Sequence, residues 1–537
     1  MSLDHDKYPK TTLKPRHLLH GEITYSVAKE QDANILHELG YRNERLRYFT
    51  HLYQNRKLIE SIVARQLGIT TVNACHLVDV EDWIDGSFNV CIRVDIDARA
   101  RFPGKQVMIR FPLPYRVGES TCPGNADEKI RCEAGTYIWL EENCPDIPIP
   151  RLYGFGLSTG LTFTHLDNVS FITRAVEYIR RQVCKWVGYP MPSLYVPHQI
   201  EEAKFLGAGY ILIEYIDPSR GKMLSDTWEN GRQDKALRTT LFRDLSRIMI
   251  ALTRTPLQRI GSFVLDDTGR LSLSNRPLTL QIPFLENEGI PIDMSRQVTH
   301  SRADSYINDV LAMHESRFRH QPNAVSSLQD GFYQACALMV MRSVWPCFFR
   351  RDLFNGPFFL HLTDLHQSNI FVDEDWNIKC LLDLEWACSR PVEMIHPPHW
   401  LTSDPIAMIR PDVYEATHKE FMEVLKEEEE KYATAREIQP LVQLHTTLQQ
   451  GWDRGTFWCS LALHTPMALF GIFYDHIQPR FSRSHKDEEA FWSITMRYLT
   501  FDALRFVDEK VKDKEQYDNR LREAFTGDPG SAMCSSE

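Results

Sequence analysis

The sequence predicts an α+β protein with more than one lobe, and three observations carry that prediction. Up to about residue 217, apolar and polar residues alternate in short blocks, the period of half-buried strands. Beyond it, apolar residues recur mainly at helical spacing. The 537-residue length also exceeds what one hydrophobic core usually serves.

In chain order, Leu36, Leu39, Leu46, Phe49, Leu52, Leu58, Ile62 and Leu67 stand near helical spacing, with Gly68 as a stop. Residues 1–70 are therefore expected to form a helical arm. Phe88, Val90, Ile92, Val94 and Ile96 then alternate with polar residues, and Val107, Ile109 and Phe111 repeat the pattern. Gly86 and Ser87 mark the bend before this strand; their N–H groups suit phosphate oxygens, and a plain hairpin turn is the equal alternative.

Residues 126–142 return to helical spacing, with Ile130, Ala134, Tyr137 and Ile138 on one face and Glu133 beside it. Pro145, Pro148 and Pro150 end that helix. The apolar run 210–215, closed by Asp217 and Pro218, reads as an edge strand. Residues 71–217 form the expected N-terminal lobe and 218–520 the helical C-terminal lobe, with helices over 237–252 and 301–318. Residues 261–297 read as irregular surface structure, the charge run 426–431 as a solvated helix face, and 521–537 as a disordered tail.

Composition narrows the function classes. A formal charge of −11 disfavours nucleic acid as a partner. The 12 cysteines contain no C-x-x-C pair, so neither a zinc site nor a disulfide framework is expected, and reduced intracellular thiols are. No apolar run approaches the roughly 18 residues of a membrane span, and the first residues lack the apolar core of a secretory signal. The expectation is a soluble cytoplasmic protein without a membrane partner; a mitochondrial presequence has no positive support.

The chemistry concentrates in residues 358–385. Phe358–Leu362 and Ile370–Val372 read as short buried strands, 373–377 as a turn and 378–384 as the returning strand. Asp364 leaves the first strand, Asn369 follows five residues later, and Asp383 comes fourteen beyond that. Phosphoryl transfer from Mg-ATP needs a carboxylate to take the acceptor's proton and hard oxygen ligands for the metal, and these three residues supply both. Taken singly, Asp and Asn more often cap turns. His366, between them, either orients Asp364 or is a structural hydrogen-bond partner.

The strings D-L-H-Q-S-N, I-F-V-D and L-D-L-E resemble the D-x-x-x-x-N and D-x-E/D motifs of the aminoglycoside phosphotransferase and choline kinase-like superfamily, and look closest to its large fungal branch. The resemblance runs from about residue 45 to 400, with GSFNVCIRV, VMIRFPLP, IPIPRLYGFG and YILIEYI in the family's order. It implies a bilobal protein-kinase-like fold, with ATP and Mg²⁺ held between an antiparallel-sheet lobe and a mainly helical lobe. It implies Asp364 as the catalytic base, Asn369 and Asp383 as metal ligands, and Glu133 as partner of the phosphate-binding cation. Glu214, Tyr215 and Ile216 would be the hinge at the adenine.

Two positions depart from the family pattern. Arg110, in VMIR, stands where a lysine is usual, and Leu362-Thr363 replaces the histidine or arginine before the catalytic aspartate. Arg110 keeps the charge with a different donor geometry, and a surface strand residue is the alternative. His361 is expected to be a packed core histidine.

Other motifs are weaker. GLSTG at 156–160 fits a nucleophile-elbow pattern but is followed by strand-like residues. His396 and His399 lack a third ligand nearby. Trp386, Trp400, Trp452 and Trp458 either line a substrate cleft or fill the core. A protein kinase is disfavoured by the absence of D-F-G and A-P-E. The expected function is Mg-ATP-dependent phosphotransfer to a hydroxyl of a small-molecule acceptor. The alternative is a catalytically weak or inactive nucleotide- or partner-binding module of the same fold.

Overall fold

The alternating blocks of the N-terminal half assemble into one antiparallel sheet. In this computed structural model, which describes residues 13–526 apart from 72, 99–101, 103, 437–440 and 483–488, its strand order is Cys75–Leu77, Asn89–Ile96, Gln106–Pro112, Tyr210–Glu214, Leu152–Gly156, Leu161–His165, Tyr195–Gln199. Asn89–Ile96 pairs with Gln106–Pro112 from Asn89 opposite Pro112 to Asp95 opposite Gln106. The molecule is α+β, as predicted: a sheet-bearing N-terminal lobe is followed by a mainly helical C-terminal lobe.

One strand differs from its expected place. Tyr210–Glu214 is central, paired on one side to Gln106–Pro112 and on the other to Leu152–Gly156. The proline that suggested an edge, Pro218, lies beyond the end of the strand and removes no ladder donor. Four consecutive buried residues, Tyr210 to Ile213, are what burial on both faces requires.

The helix Asn125–Asn143 follows the strand Gln106–Pro112 and packs on the hairpin Ser262–Leu265/Leu271–Asn275. Gly135 permits this approach, because a Cβ there would sit 2.4 Å from the Phe263 carbonyl oxygen. That hairpin and the helix Gln281–Asn287 occupy the stretch expected to be irregular surface. Leu278, Ile282 and Leu285 are instead buried with Cys132 and Trp386. Arg276 is also buried there, 2.8 Å from Glu128 and 2.7 Å from Glu286. Elements this short show no extended period, so their burial left little trace in the pattern.

The helices Tyr41–Gln54 and Arg56–Gln66 bury Phe49, Leu52, Ile59, Ile62 and Val63 against the sheet. Residues 13–39 pack instead on the last helix, Ala503–Thr526, where Ile23, Ala28 and Ile35 meet Tyr517, Leu521 and Phe525. Residues 521–526 are thus helical, and 527–537 lie outside the described residues. In the C-terminal lobe the helices Lys235–Leu252 and Pro411–Arg436 pack together. Glu428, in the charge run, is buried between them and accepts from Arg247 at 2.8 Å, so the run is only partly a solvated face.

The amphipathic helix Phe171–Val187 is turned with its apolar side outward. Arg174, Arg180 and Arg181 donate to the carbonyls of Asp167, Thr268 and Pro192 at 2.6, 2.9 and 2.6 Å. Phe171 and Trp186 are 82% and 89% exposed. Among the described residues no helix is long and apolar enough to cross a membrane.

Candidate active site

Two loops leave a strand pair side by side. Phe358–Leu362 pairs antiparallel with Ala387–Pro391, with Phe359 opposite Arg390 and Leu362 opposite Ala387. The loop carrying Asp364 therefore starts where the loop carrying Asp383 ends. Three hydrogen bonds fix the loops. Thr363 Oγ1 donates to the Trp386 carbonyl at 2.5 Å, Asn369 Nδ2 to the Asp364 carbonyl at 2.8 Å, and the Leu382 N–H to the Asn369 carbonyl at 2.8 Å. Thr363, half of the Leu362-Thr363 departure from the family pattern, is thus a tie between the loops.

Asp364 and Asp383 line one small cleft of about 10 Å³, the room of a single water-sized sphere. Asp383 sits in the left-handed region at φ 54°, ψ 63°, which costs a non-glycine residue about 1–2 kcal/mol. Its carboxylate is 41% exposed. Asn369 is buried, and its amide nitrogen is engaged by the Asp364 carbonyl. Among the described residues no three His, Cys, Asp or Glu side chains cluster closely enough to cage a metal. A Mg²⁺ ion, which takes one or two carboxylates and fills its remaining positions with phosphate and water, fits this sparse oxygen set.

Behind the cleft lies a buried charge network. Arg110 is 4% exposed, which excludes the surface-residue alternative. Its Nη1 is 2.9 Å from Glu133 Oε1 and its Nη2 is 3.3 Å from Glu385 Oε2; it also pairs with Asp383. Burial alone would lower the Arg110 pKa, but Asp383 and Glu133 beside it raise it well above the ordinary value. The guanidinium stays charged.

Three members of the network had no role in the sequence reading. Glu385 Oε2 accepts from Lys129 Nζ at 2.8 Å and from Asn89 Nδ2 at 2.7 Å, and Lys129 also donates to Asn89 Oδ1 at 2.6 Å. Lys129 lies one helical turn before Glu133, 3.6 Å from its Oε2, a spacing that marks the pair as same-face neighbours. Two cations, Arg110 and Lys129, face three carboxylates, Glu133, Asp383 and Glu385, an excess of one negative charge.

Asp364 responds to this surplus. Burial raises its carboxyl, Glu385 and Asp383 raise it further, and the bond with Asn369 opposes them, leaving it at about 7. That value suits a base operating near neutral pH. His366 Nε2 is 3.6 Å from Asp364 Oδ1, and its Nδ1 is 2.8 Å from Ser368 Oγ. Burial lowers the His366 pKa.

On the N-terminal lobe, the Gly86 N–H donates to the Asn89 carbonyl at 2.9 Å and closes a hairpin turn. Arg116 Nε donates to the Ser87 carbonyl at 2.8 Å, and the Phe88 ring meets Trp386 edge-on at 5.1 Å, so this turn rests on the residue after Glu385. Glu214 ends its strand, with Oε1 accepting from Arg220 at 2.8 Å and Oε2 from the Arg151 N–H at 3.2 Å. Tyr215 and Ile216 follow as the chain leaves the sheet, and the Arg93 guanidinium lies 5.9 Å from the Tyr215 ring centre.

Asp364 also opens on a cavity of about 450 Å³. Leu245, Ile248, Met249 and Leu252 form one wall, and Arg390, His361, His396, His399 and His464 line it as well. His361 is therefore a cavity residue, which its strand position did not reveal. Of the four tryptophans, Trp400 reaches the cavity and donates to the Leu365 carbonyl at 2.8 Å. Trp386 and Trp458 are buried, the first meeting Phe88 edge-on and the second stacked on His476, and Trp452 stacks on His418. GLSTG is a hairpin turn between Leu152–Gly156 and Leu161–His165, so it is no nucleophile elbow.

No family model and no curated relative matches the sequence. Among solved structures, the chain is similar to a thermostable mutant of aminoglycoside phosphotransferase APH(4)-Ia in ternary complex with AMP-PNP and hygromycin B. The TM-score is 0.34 at 10% identity, over 88% of this chain and 99% of that one. It is also similar to an ethanolamine kinase of Plasmodium vivax, with TM-score 0.29, 13% identity, and 84% and 85% coverage. Neither likeness bears on a fungal branch, and identities this low carry nothing beyond the likeness itself.

Proposed function

We propose that the protein is a Mg-ATP-dependent phosphotransferase acting on a hydroxyl of a small molecule. The observation that carries this is Asp364: a carboxyl raised to about 7 stands between a cleft shared with Asp383 and a 450 Å³ cavity. The cleft side has room for a single ion between the two carboxylates, with the phosphate outside it, and the cavity side suits an acceptor.

Asp364 takes the proton as the acceptor oxygen bonds to the γ-phosphorus; the bond from that phosphorus to the bridging oxygen breaks, and ADP leaves with its electrons. Asp383 and Asn369 would hold Mg²⁺, which would supply positive charge to offset that on the phosphate oxygens. Arg110, anchored by Glu133 and Glu385, places a fixed positive charge behind Asp383. In the Gly86-Ser87 turn the Gly86 N–H is engaged by the Asn89 carbonyl, so the Ser87 N–H is the group left to meet the phosphates, and the backbone of 214–216 meets the adenine. Apolar side chains on one wall of the acceptor cavity, Leu245, Ile248, Met249 and Leu252, limit the water that can compete for the phosphoryl group.

Two measurements test this. Mg-ATP is expected to raise the melting temperature, and ADP is expected to accumulate in proportion to added acceptor. Stabilisation by Mg-ATP with no ADP release across a broad alcohol panel would replace this reading with the inactive nucleotide-binding module.

A further inference from the structure

The acceptor cavity contains an unusual cation. Arg390 is 3% exposed, lines the cavity, and lies on the strand facing Phe359. Its Nη1 bonds the His464 ring, and its Nε has no partner. The groups that act on its charge are the Tyr306 hydroxyl and the Cys388 thiol, and among the described residues no carboxylate pairs with it. Arg276, equally buried, has Glu128 and Glu286. A buried guanidinium without a counter-ion is costly, and a ligand anion removes that cost.

The rest of the lining agrees. Among the described residues Asp364 is the one carboxylate on the cavity wall, and besides it and Arg390 the ionisable groups are five histidines: His361, His366, His396, His399 and His464. Burial holds His396 down to about 4 and His399 to about 3, so these rings offer neutral hydrogen-bonding groups. His361 Nε2 is buried and unpartnered in the same lining. A cationic acceptor such as an amino alcohol would face Arg390 with no carboxylate but the catalytic one.

We propose that the acceptor is a hydroxy acid: an alcohol with an apolar body whose carboxylate seats on Arg390 while its hydroxyl reaches Asp364. This rests on the phosphotransfer reading for the role of the hydroxyl, but the anion seat stands on Arg390 alone. Arg390 takes no part in the bonds made and broken; it positions the acceptor. Phe359, opposite Arg390, lies five residues before Asp364, so the two ends are separated by at most ~17 Å of extended strand. The apolar wall from Leu245 to Leu252 covers the body between them.

The test uses the full chain, first without nucleotide. ω-Hydroxy acids of short and medium chain length, the matched alkanols and the matched ω-amino alcohols are compared by thermal shift and titration calorimetry, on wild type and Arg390→Met. The acids are expected to stabilise the wild type, the alkanols less and the amino alcohols not at all. Arg390→Met is expected to melt no lower than wild type and to bind the acids at least about 10-fold more weakly. If the methionine variant fails to fold, Arg390→Gln, which keeps a donor for His464, replaces it.

Equal stabilisation by alkanols or amino alcohols overturns the proposal, as does an acid response that survives loss of Arg390, or no response to any acid. ADP release over the same panel separates the two readings. Arg390-dependent acid binding without ADP release keeps the anion seat and removes phosphotransfer. ADP release with amino alcohols but not with acids keeps phosphotransfer and removes the anion seat.

Discussion

Arg110 and Arg390 are both strand residues, 4% and 3% exposed, and their surroundings are opposite. Arg110 is wrapped by Glu133, Asp383 and Glu385, whereas Arg390 meets an imidazole, a hydroxyl and a thiol. The difference separates two uses of one side chain. Where the protein supplies the anions, the cation organises a fixed framework; where it supplies none, the charge is kept for a ligand.

Asp364 stands between the two regions, and its removal should have the largest effect. Asp364→Asn keeps the shape of the cleft and removes the proton acceptor, so the initial rate of ADP release is expected to fall about 10²- to 10⁴-fold. Mg-ATP stabilisation is expected to persist, because the residues around the phosphates are untouched. A variant turning over at the wild-type rate would leave Asp364 on neither side of the comparison.

The carboxylate-rich side predicts a structural effect that Arg390 does not. Glu385→Leu leaves Lys129 and Arg110 short of a partner in a buried site, a loss of about 3–5 kcal/mol, read as a fall in melting temperature. Adding Lys129→Met should recover part of that loss, since removing both partners of a buried pair costs less than removing one. If Glu385→Leu and Arg390→Met melt alike, the contrast between the two arginines is wrong.

How much of this could be read from the sequence follows from where each signal is stored. The strands Phe358–Leu362 and Ile370–Val372 and the helix Asn125–Asn143 carry their period in consecutive residues, so spacing exposed them. Asp364, Asn369 and Asp383 share one short stretch with family-like spacing. Arg390 and His464 are 74 residues apart and meet only through strand pairing and helix packing, which no local pattern encodes. Glu385 was visible as a motif letter, but its partners Asn89 and Lys129 lie 296 and 256 residues away. The helix Phe171–Val187 adds a second lesson: amphipathic spacing tells that a helix has two faces, and the three arginine-to-carbonyl bonds decide which one turns inward.

The pH dependence asks which side Asp364 belongs to electrically. With its carboxyl at about 7, kcat/KM is expected to rise with pH along an acidic limb near that value, as the base loses its proton. Burial is the largest cause of the shift and Glu385 the next. Glu385→Gln should therefore move the limb downward without abolishing it. An unmoved limb would assign the shift to burial in the cavity wall alone.

The smallest expected effect is on stability and has the opposite sign to the catalytic one. An aspartate with an ordinary pKa of 3.8 raised to about 7 in the folded protein binds its proton more tightly when folded. Its contribution to stability is full below the unfolded value and is lost as pH rises through about 7. Asparagine resembles the neutral form at every pH. Without nucleotide, Asp364→Asn should thus melt close to wild type at about pH 5 and above it at about pH 8.5. The variant that loses the base would gain stability only where wild type carries the uncompensated charge. Adding Mg²⁺ should narrow the gap at high pH, because a cation in the cleft beside Asp383 offsets that charge in wild type and has less to offset in the variant. A gap that is the same at both pH values would mean that the substitution acts through packing, and Asp364 would then lose its standing as a carboxyl held near neutrality by burial and by the carboxylates beside it.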